Sequence, residues 1–305
     1  MNTETLPNRI QSLDQFRGYS VAAMFVVNFL GGLAITHQVL RHNNTHFSLA
    51  DSIMPSFIFA CGFSYRMSFL KQLSGVGSSR PYLRFVKRSL GLILLSLMLY
   101  GFNSKIANWS EMSSQRLVRF FSELLKADMW EVLAIIGALQ ILLLPLIAKT
   151  TWIRAITFVG LGILHFIISW SFNYEFVNGR PNWMDGYFGA VGKRAWDGGF
   201  FGLLSWAQIM LVGTLTFDVL KNYRQGIALL FVFVFGVFLM LSGYGLSCLT
   251  TLYNLEGISD EQSLKMIASP VIPDFSLVKG RNWDTLLAEP PCVVPLPPGK
   301  RVPNY

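Results

Sequence analysis

The sequence predicts an all-α fold, a polytopic membrane helix bundle of about seven transmembrane helices with a cytoplasmic N-terminus. Three observations carry this: long apolar runs, a scarcity of charge, and the placement of the basic residues that remain. Hydrophobic residues make up 52% of the chain and charged residues only 14%, with mean hydropathy +0.44. Soluble domains carry roughly 25% charged residues, so water is not the main solvent of this fold.

A spanning helix needs about 20 mostly apolar residues, because hydrocarbon offers the backbone no hydrogen-bond partner outside the helix itself. Such runs extend from Tyr19 to Leu40, Ser52 to Leu73, Leu83 to Phe102, Met129 to Ala148, Trp152 to Phe172, Phe200 to Leu220 and Gln225 to Leu246. Before the first run stand Arg9 and Arg17 but also Glu4 and Asp14, and no small-residue cleavage site follows it. The first helix is therefore expected to stay in the mature protein.

Orientation follows from the basic residues. From Arg66 to Arg88, where the second run gives way to the third, stand Arg66, Lys71, Arg80, Arg84, Lys87 and Arg88 without one acid, which marks a cytoplasmic connection. Alternation then puts Lys149 with Arg154, and Lys221 with Arg224, in two further cytoplasmic turns. The segments Thr36 to Ala50, Asn103 to Asp128, Asn173 to Gly199 and everything after Ser247 fall outside, where Trp109, Trp130, Trp183 and Trp196 suit an interfacial aromatic belt. Residues 1–246 thus read as a transmembrane helical domain, and residues 247–305, polar and rich in proline, as an extracytoplasmic tail or a loop cut short.

The same pattern excludes several classes. A net charge of +8 and pI near 9.5 would suit nucleic acid, but the basic residues sit in short turns between apolar runs, and topology accounts for them. Cys61, Cys248 and Cys292 are too few and scattered for a disulfide framework and make no CxxC pair. His37, His42, His46 and Asp51 lie close in sequence, but their spacings fit no zinc pattern, so no metal is expected. No internal repeat and no inverted pair of broken helices marks a transporter, which lowers that reading without excluding it.

Polar residues concentrate around the first two runs. Asp14 and Arg17, three apart, share a helix face and can pair at the cytoplasmic edge. Alternatively Arg17, with Arg9 and basic residues of the second connection such as Arg66 and Arg88, makes an anion site for phosphates. Asn28 sits among Val and Phe with Gly31 and Gly32 one turn on, a place for helix–helix hydrogen bonding or for function. His42 and His46 precede Asp51, which can cap the second helix, with Pro55 close to its first turn. Interfacial polar residues would look the same, but a neutral imidazole oriented by Asp51 can also take a proton from an amine or hydroxyl. Asp128, Glu131, Gln140, Asp197, Gln208, Asp218 and His165 read as caps and interhelical hydrogen bonds.

Five segments in order, RIQSLDQFRG, VVNFLGG, HNNTHFSLADSIMPSFIFACG, VLAIIGALQILLLPL and WDGGFFGLLSWAQIMLVGTLTFD, resemble the family of heparan-α-glucosaminide N-acetyltransferase and its bacterial homologues. The resemblance runs from about Arg9 to Leu246. It implies acetyl transfer from cytoplasmic acetyl-CoA, the co-substrate, to an amino sugar or other saccharide on the far side of the membrane. It places the family's asparagine on Asn28 and its histidine best on His42, with His46 the other counterpart. With acetyl-CoA as donor, the anion site read above becomes the expected place of its phosphates, on Arg9, Arg17, Arg66 and Arg88, with Asp14 beside Arg17. The family's chains continue with several more helices, so a truncated member is expected here. Expected partners are a saccharide acceptor and membrane lipid, with a homo-oligomer left open, and the expected location is a bacterial inner membrane. Two other readings stay open: a transporter or flippase of a sugar-linked substrate, and a catalytically inactive homologue.

Overall fold

The computed structural model describes residues 10–31, 40, 42, 48–75, 79–101 and 113–249. Every regular element among them is helical, as expected. In chain order these are α1 (Gln11–Gly31), α2 (Leu49–Gly75), α3 (Ser79–Ser96), α4 (Ser114–Glu123), α5 (Val132–Ile147), α6 (Thr151–Ile168), α7 (Tyr174–Val177), α8 (Asp185–Phe188), α9 (Gly199–Asn222) and α10 (Gln225–Leu249). Three of them run on into π-helical turns, Leu97–Gly101 after α3, Leu124–Asp128 after α4 and Ser169–Asn173 after α6.

Each of the seven apolar runs overlaps a helix, but among the described residues four helices are long and apolar enough to cross a membrane by themselves: those beginning at Leu49, Thr151, Gly199 and Gln225. A fifth crossing appears if Ser114–Asp128 and Val132–Ile147, bent by 83° at the short break between them, count as one span. Charge explains the shortfall. The described part of α1 begins with Asp14 and Arg17, and α3 spends its first half on Arg80, Arg84, Lys87 and Arg88, which shortens the apolar stretch of each. The segments read as outer loops also hold helices that the apolar pattern did not show, namely α4, α7 and α8. The proline-rich stretch from residue 250 onward lies outside the described residues.

The chain divides into two compact units. In the larger, residues 58–229, α5 is the central helix and buries Ala134, Ile135, Ile136, Leu139, Leu143 and Ile147. It packs along α3 and meets α9, and α9 also packs along α6. Polar groups on these faces find partners, as lipid-embedded groups must. Ser89 Oγ donates to Gln140 Oε1 at 3.0 Å, Tyr65 Oη to the Gln140 carbonyl at 2.9 Å, and Gln208 Nε2 to the Phe158 carbonyl at 3.0 Å. These bear out the interhelical roles expected of both glutamines. Where α2 and α9 cross, Gly62 and Gly213 let the backbones touch. A Cβ on Gly62 would lie 2.1 Å from the Met210 carbonyl oxygen, and one on Gly213 would lie 2.1 Å from that of Phe59. Small residues at such crossings are how helices in lipid gain close packing.

In the second unit, made of the described parts of residues 9–57 and 230–303, α1 meets the start of α2 through Val27, Ala50 and Ile53, with Ala23, Met24 and Leu40 around them.

Candidate active site

The start of α2 is built by a reciprocal cap. Ser48 is the residue before the helix, and its Oγ accepts from the Asp51 backbone N–H at 3.3 Å while Asp51 Oδ2 accepts from the Ser48 N–H at 3.0 Å. This is a capping box with aspartate in place of glutamate, satisfying two backbone donors that have no intrahelical partner. Asp51 therefore belongs to the first turn, as the sequence suggests, but Ser48 is the cap itself. Pro55 lies one turn further in and removes the N–H that would otherwise bond to the Asp51 carbonyl.

The box leaves Asp51 with one oxygen to spare. Oδ2 is held by the Ser48 N–H and by Ser48 Oγ at 2.7 Å, whereas Oδ1 lies 2.8 Å from His42 Nδ1. An ionised carboxylate only accepts, so Nδ1 carries the proton and the lone pair sits on Nε2. The His42 side chain is 55% exposed while Ser48 is buried. The cluster is thus anchored at the serine end and open at the imidazole end, the geometry of an oriented general base. His46 lies outside the described residues, as do Arg9 and His37.

Among the other predicted site residues, Asn28 is exposed on α1, one residue from the buried Val27. Asp14 and Arg17 pair at 4.0 Å, both half-buried. Arg88 is exposed on α3, in a basic stretch with Arg80, Arg84 and Lys87, where Arg84 donates to Gln72 Oε1 at 3.2 Å. Arg66 is different: it lies inside α2, is buried, and its guanidinium is fully engaged. Nε and one terminal nitrogen donate to the two oxygens of Asp218 at 3.1 and 3.2 Å, and the other nitrogen donates to the Ile147 carbonyl.

Arg66 leads to a cluster that sequence reasoning missed. Arg154, 0% exposed near the start of α6, donates to the same Asp218 and to Thr214 Oγ1 at 2.7 Å, and Thr151 Oγ1 donates to Asp218 at 3.1 Å. One carboxylate on α9 thereby ties down guanidinium groups from α2 and α6, and Arg66 in turn holds the Ile147 carbonyl at the end of α5. Arg154 reads in sequence as a topology marker and Asp218 as a cap or an interhelical hydrogen bond; the second reading of Asp218 holds, with its partners unforeseen. The signal was the presence of opposite charges inside two apolar runs whose ends face the same side. A second buried pair was missed as well. Lys126, in the π turn after α4, reaches Asp185 at 2.5 Å and the Ala190 carbonyl at 3.1 Å, and lies 4.3 Å from the Phe176 ring centre. Trp130, assigned to an aromatic belt, is buried instead, its indole N–H donating to the Leu125 carbonyl at 2.7 Å. Trp183 is exposed, as a belt residue would be.

No three His, Cys, Asp or Glu side chains gather as a metal site among the described residues.

Fold and site together define a helical membrane protein with a histidine–carboxylate pair at the head of a spanning helix. Comparison with family models takes the assignment further: residues 9–225 match heparan-alpha-glucosaminide N-acetyltransferase, catalytic, and the chain belongs to that family. Membership implies a membrane acetyltransferase, and the family in general uses acetyl-CoA as its donor. Comparison with curated proteins and with solved structures gives no match.

Proposed function

We propose that the chain moves an acetyl group from acetyl-CoA, taken from the cytoplasmic side, to the amino or hydroxyl group of a saccharide on the outer side of a bacterial inner membrane. The observation that carries this reading is the 2.8 Å contact from His42 Nδ1 to Asp51, with the imidazole exposed and the carboxylate fixed by Ser48. As the acceptor nitrogen or oxygen bonds to the thioester carbonyl carbon, its proton passes to His42 Nε2. Collapse of the tetrahedral adduct breaks the carbon–sulfur bond, and the leaving thiolate takes up that proton. Asp51 stabilises the imidazolium formed between the two steps. Asn28, a side-chain amide donor, is assigned to the oxyanion, and Arg9 and Arg17 to the phosphates of CoA. Arg66 enters only as a structural cation, because Asp218 and Ile147 already use its donors. Asp14 holds Arg17.

The test is release of CoA thiol by the purified protein with glucosamine-terminated acceptors, for wild type, His42→Gln, His46→Gln and Asp51→Asn. Loss of a general base costs on the order of 10²- to 10⁴-fold in rate. The expected pattern is that loss in His42→Gln, a comparable loss in Asp51→Asn, and thermal stabilisation by acetyl-CoA retained in both. Turnover unchanged in His42→Gln and abolished in His46→Gln would move the base to His46. Turnover unchanged in both would refute the histidine mechanism.

A further inference from the structure

In the larger unit, α4 stands apart from the other helices. α5 carries no charged residue and so runs into hydrocarbon. The segment Ser114–Asp128 makes an angle of 83° with it, which lays α4 close to the plane of the bilayer. A helix in that position should be two-faced, and this one is. Leu117, Val118 and Phe121 form one side and are exposed, Val118 by 66% and Phe121 by 56%, and Leu125 in the following turn continues the stripe.

The opposite side carries Arg116, Arg119 and Glu123, and the helix is held along one flank, and at the turn after it, by the segment between α7 and α9. Lys126 is buried under it through Asp185 and the Ala190 carbonyl, and Lys193 of the same segment reaches Asp128 at 2.5 Å. Gly189 comes against Ser122 and shares a shallow cavity of about 300 Å³ with Ser114, Gln115, Val118 and Arg119. Arg116 and Arg119 are exposed on the side opposite the stripe, with Arg119 paired to Glu123 at 2.9 Å. The helix is thus held along one flank, and Leu117, Val118 and Phe121 remain exposed.

We infer that α4 is an in-plane helix of the bilayer–water interface, with Leu117, Val118 and Phe121 in the acyl region and Arg116 and Arg119 against anionic lipid headgroups. Two features select lipid over a protein partner: the near-right angle to an uncharged helix, and basic residues on the face opposite the apolar stripe, the arrangement that matches a negatively charged membrane surface. Exposed aliphatic and aromatic side chains cost free energy in water and none in acyl chains, whereas arginines on the polar face keep their charge at headgroup level.

The test places a photo-crosslinking benzoylphenylalanine at Val118, at Phe121 or at Gln115 in the full chain, reconstituted into phosphatidylcholine vesicles with phosphatidylglycerol as the minority lipid. Irradiation is expected to give lipid adducts at 118 and 121 and few at 115. Phosphatidylglycerol should be enriched in those adducts about two- to five-fold over its bulk share, and Arg116→Gln with Arg119→Gln should abolish that enrichment. Adducts at 118 and 121 with a second copy of the chain, or with another segment of the same chain, would overturn the inference, as would equal lipid labelling at 115. Enrichment that survives the double substitution would overturn the role of the arginines.

Discussion

Asp218→Asn is the perturbation with the largest consequence that the geometry allows to be calculated. The side chain keeps its size but loses its charge, and Arg66 and Arg154 then face each other as two cations without an acid among the groups that bind them. Both guanidinium groups are buried, Arg154 completely, so water does not replace the lost partner. Removing one member of a buried ion pair costs about 3–5 kcal/mol, because the charge left behind is uncompensated. At roughly 2–4 °C per kcal/mol for a domain of this size, the midpoint of thermal unfolding should fall by about 6–20 °C. The assay is a melting curve of the detergent-solubilised protein, followed by loss of monodispersity. The triple variant Arg66→Met, Arg154→Met, Asp218→Leu removes all three charges together and should recover most of the loss, since apolar groups of similar volume often replace a buried triad at little cost. A shift under about 2 °C in Asp218→Asn would refute the view that this carboxylate neutralises the cluster. A triple variant as unstable as the single would refute the electrostatic explanation.

Three further outcomes follow from the packing. Gly62→Ala puts a methyl 2.1 Å from the Met210 carbonyl oxygen, so α2 and α9 must separate. Overpacking of this kind costs typically 1–3 kcal/mol and should appear as a lower melting midpoint, whereas Gly243→Ala, with nothing within 4 Å of the new methyl, should be neutral. Ser48→Ala removes the cap, worth about 1 kcal/mol, and frees Asp51 from two of its donors. Its effect on turnover should therefore vanish when His42 is already replaced, which a double-mutant cycle measures. Lys126→Met leaves Asp185 buried without its cation and should speed proteolytic cutting between Asn178 and Gly198 in the folded protein, with cutting slowed again when Asp185→Leu is added.

The legible part of the site was the part written in short-range chemistry. His42 and Asp51 are nine residues apart, and the Ser48 cap fixes the carboxylate that His42 meets at 2.8 Å. The expectation that Asp51 orients a histidine is met at His42 for that reason. The Arg66–Asp218–Arg154 cluster was not legible, because its members lie 152 and 64 residues apart and meet only when α2, α6 and α9 converge. Single charges inside apolar runs announce that a partner exists without saying which. Nor could composition place α4, since apolar runs find spans and overlook amphipathic helices, whose mean hydropathy is low by construction.

The sequence by itself determined the solvent, the helical class, the positions of the apolar runs, the family and the nearness of Asp51 to two histidines, because each depends on composition or on residues close in the chain. Tertiary structure decided which runs are long and apolar enough to cross, that Arg66 and Trp130 turn inward, and which buried charges neutralise each other. Those outcomes depend on helices distant in sequence, and burial in a bundle is a property of the neighbours a residue acquires.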